Sequence, residues 1–251
     1  MAETILVTGA SAGFGQAICR RLVADGHRVI GAARRIEKLQ ALHEELGEAF
    51  YPLQMDVTDL TQVDHALASL PADWEQIDVL VNNAGLALGL APAQKAEIAD
   101  WLTMIQTNII GLTYLTRQIL PQMVERNDGY VINMGSTAGT VPYPGANVYG
   151  ASKAFVKQFS LNLRADLAGK QIRVTNIEPG LCEGTEFSSV RFKGDEKRVE
   201  ALYRDAHAIQ PEDIANTVSW LIQQPKHVNV NRIEIMPVSQ TFGPQPVYRG
   251  D

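Results

Sequence analysis

Seven short apolar runs punctuate this chain, at residues 4–8, 28–33, 50–55, 77–81, 130–134, 172–177 and 232–236, and their rhythm constrains the fold more than any other feature. Amphipathic stretches lie between them. Apolar residues recur at helical spacing over 17–24, through Leu39, Leu42 and Leu46, and over 101–124, 149–167 and 211–222. The stretch 56–70 reads as a further helix with Asp59 as its N-cap, and Pro211 suits the first turn of the last one. The short runs are continuously apolar, as in "TILVT" and "IDVLV", which is the pattern of strands covered on both faces. Strand and helix in alternation predict an α/β fold: a doubly wound, mostly parallel sheet of about seven strands with helices on both faces. With no linker, repeat or low-complexity tract, residues 1–251 are expected to form a single domain. In such sheets ligands bind beyond the carboxyl ends of the strands, so the loops there are where chemistry is sought.

Composition narrows the function classes. The formal net charge of −6 argues against a nucleic-acid-binding face. No apolar run approaches the roughly 18 residues of a membrane span, and the N-terminus reads as a first strand rather than a signal peptide. Cys19 and Cys182 show neither a disulfide framework nor metal-ligand spacing, and the five histidines are scattered, so a reduced, cytoplasmic setting without a metal is expected. No activating partner for a Cys182 nucleophile is evident.

The first strand ends in Thr8-Gly9-Ala10-Ser11-Ala12-Gly13-Phe14-Gly15 and runs into a helix. Small residues there let a pyrophosphate approach the backbone, and the helix N-terminus offers unpaired N–H groups. The spacing, G-x-x-x-G-x-G, differs from the common dinucleotide fingerprint. The second strand ends in Arg34 and Arg35 with no acid nearby. An acid there would bind a ribose 2′-hydroxyl, whereas arginine accommodates a 2′-phosphate, so the pair favours NADP(H), with Arg34 the preferred phosphate partner. Further along, "VYGASKAF" sets Tyr149 and Lys153 four residues apart, on one face of the expected helix.

These features, together with Asp56-Val57, Asn82-Asn83-Ala84-Gly85, Asn108 in "TNIIG", Gly135-Ser136-Thr137 and Pro179-Gly180, occur in order at the ends of the right elements. On them the chain resembles the short-chain dehydrogenase/reductase family over essentially its whole length, with its Rossmann-type sheet. The wording of "LVNNAGLALG" and "IEPGLCEGTEFSSVRFKGD" is similar to the branch of NADP-dependent 3-hydroxy acid dehydrogenases, malonic semialdehyde reductases and their sulfoacetaldehyde reductase relatives. The resemblance implies a homotetramer. It also implies roles: Tyr149 as the acid that protonates a carbonyl oxygen, Ser136 as a hydrogen-bond donor to that oxygen, and Lys153 as a ribose ligand that acidifies the phenol. Asn108 would hold a water linking Lys153 to solvent. Asp56 and Val57 would lie near the adenine, Asn83, Ala84 and Gly85 near the ribose, and Pro179, Gly180, Leu181 and Thr185 around the nicotinamide amide. Glu178, before Pro179, departs from the smaller or neutral residue common there. The chemistry fits: hydride transfer to a carbonyl builds charge on oxygen, and a phenol, ordinarily of pKa about 10, becomes a better acid beside an ammonium.

The expected activity is reversible, NADPH-dependent reduction of small anionic aldehydes or ketones to hydroxy acids or hydroxysulfonates. A 3-ketoacyl or broad carbonyl reductase and a non-catalytic NADPH-binding regulator are the alternatives. Residues 181–205 carry Arg191, Lys193, Lys197 and Arg198 and read either as a lid over the site or as a solvated charged run. Arg191 is the candidate for pairing with a substrate anion. The tail, 238–251, reads either as a disordered end or as a segment packing on a neighbouring subunit.

Overall fold

The computed structural model describes residues 2–243. In it seven strands form one parallel sheet: β1 (Thr4–Thr8), β2 (Arg28–Ala33), β3 (Phe50–Gln54), β4 (Val79–Asn82), β5 (Gly129–Met134), β6 (Ile172–Pro179) and β7 (Arg232–Ile235). Their order is β3-β2-β1-β4-β5-β6-β7, so the direction of winding reverses between β1 and β4. That reversal splays the two following loops apart and opens a crevice at the carboxyl ends.

Alternate strand residues feed two cores, as the unbroken apolar runs require. On one face Ile5, Val7, Val29 and Val81 pack against α1 (Gly13–Ala24), α2 (Ile36–Leu46) and, further along the chain, a helix at Pro211–Gln223. On the other, Leu6, Ile30, Leu80 and Val131 meet α3 (Leu60–Ala68), a helix at Leu112–Arg126 and one at Asn147–Asp166. Asp59 caps α3 as expected, its carboxylate accepting from the Gln62 amide at 3.0 Å.

Two stretches differ from expectation. The single helix anticipated over 101–124 is α4 (Ile98–Ile105) and α5 (Leu112–Arg126), joined by a wide π-turn at Gln106–Gly111. Periodicity alone does not show the extra residue of a π-turn, because its cause is tertiary. The segment between β6 and the last helix folds into two short helices, α7 (Phe187–Arg191) and α8 (Glu196–Tyr203), after α6 (Asn147–Asp166) and before α9 (Pro211–Gln223). Their polar composition hid them. Among the described residues, no helix is long and apolar enough to cross a membrane.

Candidate active site

The crevice is a cavity of about 610 Å³ running from the glycine loop to Arg191. Its floor is a stitch between β1 and β4. Thr8 Oγ1 accepts from the amides of Asn83 and Ala84, at 3.0 and 2.9 Å, and the Asn83 side-chain amide donates to the Thr8 carbonyl at 2.8 Å. Over this floor α1 begins at Gly13, after an extended Ala12 with no side-chain cap. Its first N–H groups are therefore left for a ligand. Gly13 has φ +51°, and a methyl group on Gly15 would stand 2.3 Å from the Gly9 carbonyl oxygen. Ser11, Ala12 and Phe14 complete the wall of this cradle, which fits a pyrophosphate in size and polarity.

At the adenosine end, Arg34 is exposed and lines the cavity, while Arg35 donates to Ser11 Oγ at 3.0 and 3.2 Å. Asp56 and Val57 form the facing wall, and the Asp56 carboxylate accepts from the Thr58 amide and hydroxyl at 2.9 and 2.8 Å. A 2′-phosphorylated dinucleotide thus has a cationic terminus, a peptide cradle and an apolar slot in one continuous space.

The other end gathers residues from β4, β5, β6 and α6. Asn108, 1% exposed in the π-turn, accepts from the Leu86 amide at 2.9 Å and donates to the Leu86 carbonyl and to Ser152 Oγ, at 2.9 and 3.0 Å. Its side chain thus ties the loop after β4 to α6. A methyl group on Gly85 would lie 3.3 Å from both Asn108 Oδ1 and Lys153 Nζ, so that glycine keeps the gap between them clear.

Tyr149 and Lys153 do share one face of α6, and both are buried. Lys153 Nζ donates to the Met134 carbonyl at 2.8 Å and lies 5.9 Å from the centre of the Tyr149 ring. Burial lowers the Lys153 pKa to about 8 and raises that of Tyr149 to about 12. Against that rise, the Ser136 hydroxyl and, more weakly, the Arg191 guanidinium pull the phenol down. The sequence reading made Lys153 the acidifying group. In the protein's own atoms desolvation of the phenolate outweighs the attraction of nearby cations, and the ammonium is engaged by a backbone carbonyl.

Beyond β6, the Pro179 carbonyl accepts from the Ser136 and Thr137 hydroxyls, both at 3.4 Å. Gly180 donates to the Ile235 carbonyl at 2.8 Å and Leu181 to Gln240 Oε1 at 2.7 Å. Gln240 was not anticipated. It belongs to the start of the tail, and its side chain packs on Gly180 and Leu181 of the same chain; residues 244–251 lie outside the described residues. Cys182 also lines the cavity, but burial pushes its thiol up to about 12.

Residues of the segment 181–205 form one wall of the crevice. Thr185 sits on Gly13, the Phe187 ring packs on Tyr149 at 5.7 Å between centroids, and Leu202 and Tyr203 close the side. Of its four singled-out cations, Arg191 alone lines the cavity. Its guanidinium lies 5.3 Å from the Tyr149 ring centre and donates to the Tyr143 hydroxyl at 2.9 Å. Lys193 turns instead to Asp100, at 2.8 Å, and Arg198 lies over the Phe192 ring. Tyr143 and Glu186 are further cavity residues the sequence reading did not single out.

This arrangement has relatives. The family model for short chain dehydrogenases matches residues 3–196. The chain belongs to the short-chain dehydrogenase family. Among curated members, an NADP-dependent 3-hydroxy acid dehydrogenase (YdfG) of Salmonella typhi is 59% identical over 245 residues, 98% of this chain and 99% of that protein. A serine 3-dehydrogenase of Agrobacterium fabrum is 52% identical over 249 residues, 99% of each. A solved serine dehydrogenase in its closed form, complexed with NADP+, superposes with a TM-score of 0.97 at 57% identity, covering 98% of this chain and 100% of that one. The sheet and its order of strands are thus those of a short-chain dehydrogenase.

Proposed function

We propose that this short-chain dehydrogenase uses NADP(H) to interconvert small 3-hydroxy acids with their carbonyl counterparts, and that its carbonyl substrates are short and anionic, of the malonic semialdehyde or sulfoacetaldehyde type. The observation that carries the substrate class is the placement of Arg191: a guanidinium from the lid reaches the far end of the cavity, beside the Tyr149 phenol and on the Tyr143 hydroxyl. A planar fork there suits a carboxylate or sulfonate. The names of the relatives support the hydroxy acid class and the NADP(H) dependence.

When bound, the nicotinamide supplies or accepts the hydride. The chain's residues do the rest. Arg34 would hold the 2′-phosphate, and Lys153, held by Met134, would bind the ribose. Ser136 Oγ donates a hydrogen bond to the substrate oxygen, and Tyr149, kept protonated by its buried setting, gives that oxygen its proton in reduction and takes it back in oxidation. The lid excludes water from this end.

A steady-state comparison tests the reading. Arg191→Ala should raise KM for malonic semialdehyde and sulfoacetaldehyde far more than for a neutral aldehyde of the same length. Equal effects on both would remove Arg191 from the anion site, and faster turnover of long acyl thioesters than of small acids would move the protein to the ketoacyl reductases. Assembly as a homotetramer belongs to the same reading. It is supported by large apolar side chains left exposed on neighbouring helices, Ile98 and Leu102 on α4 and Phe155 on α6, and light scattering measures it.

A further inference from the structure

The two arginines that end β2 are not equivalent. Arg34 lines the cavity, and among the described residues its guanidinium has no hydrogen-bond or ion-pair partner. Arg35 is fully engaged. Besides its two bonds to Ser11 it meets the carboxylate of Glu186, at 2.9 and 3.2 Å, and Lys38, three residues on in the sequence, reaches the same carboxylate at 2.9 Å. These two cations hold the Glu186 carboxyl at a pKa of about 2. Glu186 is the residue immediately before α7, at the leading edge of the lid. The lid's other end is fixed differently: the Gly89 amide donates to the Arg191 carbonyl at 2.9 Å, and Lys193 pairs with Asp100. The covering segment is therefore pinned on the substrate side by the loop after β4 and on the adenosine side by one carboxylate shared between two cations.

We propose that Glu186 is a positioning residue that latches the lid to Arg35 and Lys38, so that Arg34 meets the 2′-phosphate and Arg35 holds the lid above it. The inference rests on the NADP(H) reading and deepens it. An ion pair in which both partners are partly solvated is individually weak, which suits a closure that must release on every turnover. Sharing Ser11 ties the latch to the glycine loop itself. A cofactor that orders the loop then also orders the post to which the lid is fastened.

Hydrogen–deuterium exchange over 186–203, measured on the full chain with no nucleotide added, reads the latch directly. Glu186→Gln should speed exchange there several-fold, Arg35→Ala should speed it less because Lys38 still holds the carboxylate, and the double variant should exchange no faster than Glu186→Gln. Exchanging the charges, with Glu186→Arg and Arg35→Glu together, should return exchange toward the wild-type rate. Arg34→Ala should leave lid exchange as it is and weaken calorimetric binding of 2′,5′-ADP by about tenfold or more. Unchanged lid exchange in Glu186→Gln overturns the latch. Arg35→Ala costing as much 2′,5′-ADP affinity as Arg34→Ala overturns the division between the arginines. If 2′,5′-ADP fails to bind even the wild-type chain, the NADP(H) reading and the role of Arg34 fall together, and the exchange data still decide the latch.

Discussion

Lys153 spends its ammonium on the carbonyl of Met134, at 2.8 Å, and that bond fixes a buried cation beneath the phenol one helical turn earlier. The chain thereby ties the end of β5 to the face of α6 that carries Tyr149 and Lys153.

Burial disfavours the charged form of both groups, so Lys153 falls to about 8 and Tyr149 rises to about 12. The signs are opposite because one acid is cationic and the other neutral. Between these values Tyr149 still carries its proton while Lys153 has lost its own. Carbonyl reduction should then decline above pH about 8 through loss of the Lys153 charge, although the proton donor remains loaded. The profile of kcat/KM against pH checks this, and a first descending limb near 10 would contradict it.

Tyr149→Phe removes the hydroxyl and leaves the ring that packs on Phe187, so the pocket should keep its shape. Reduction should fall by at least about 10²-fold, the usual worth of a positioned acid, with NADPH affinity nearly unchanged. Stopped-flow turnover beside fluorescence titration separates the two. A variant that still turns over at near-wild-type rate would remove Tyr149 from the proton-transfer step.

Gly15 faces the backbone carbonyl of Gly9, the residue after the stitch between β1 and β4. A methyl group there, 2.3 Å from the Gly9 oxygen, should cost about 1–3 kcal/mol. Gly15→Ala should lower Tm by several degrees and weaken NADPH binding along with it. Gly26→Ala is the control: a methyl there meets nothing within 4 Å, although its φ of +88° adds backbone strain. Nucleotide binding should survive that change.

What the sequence made legible was local or periodic. Continuous apolar runs identified the buried strands, and Gly9 to Gly15, Arg34 and the Tyr149–Lys153 pair each announced themselves by residue type at a strand end or on a helix face. What it hid depends on pairs distant in the chain. Glu186 meets Arg35 across 151 residues of sequence, and Gln240 reaches Leu181 across 59. The π-turn exists where Asn108 bonds to Leu86 and Ser152, and no spacing rule encodes that. The sign of the Tyr149 shift was hidden for a related reason: spacing reports which charge is near, whereas burial depends on every element packed above.

Glu178 illustrates the same limit, since its departure from the family pattern gains a meaning only with its partners in view. Its carboxylate, 1% exposed, accepts from Arg232 at 2.6 and 2.9 Å and from the Asn176 amide at 2.7 Å, joining β6 to β7 just before the loop of Gly180 and Leu181. Removing the cation leaves a buried charge with one neutral donor, whereas Glu178→Gln removes the charge and keeps the shape. Arg232→Ala should therefore be the more damaging change. Its cost should lie toward the lower end of the about 3–5 kcal/mol typical of a broken buried pair, because Arg232 is itself partly solvated. Urea unfolding of the two variants decides the order: Glu178→Gln proving the less stable would show that Asn176 and the backbone, rather than the ion pair, hold the two strands together.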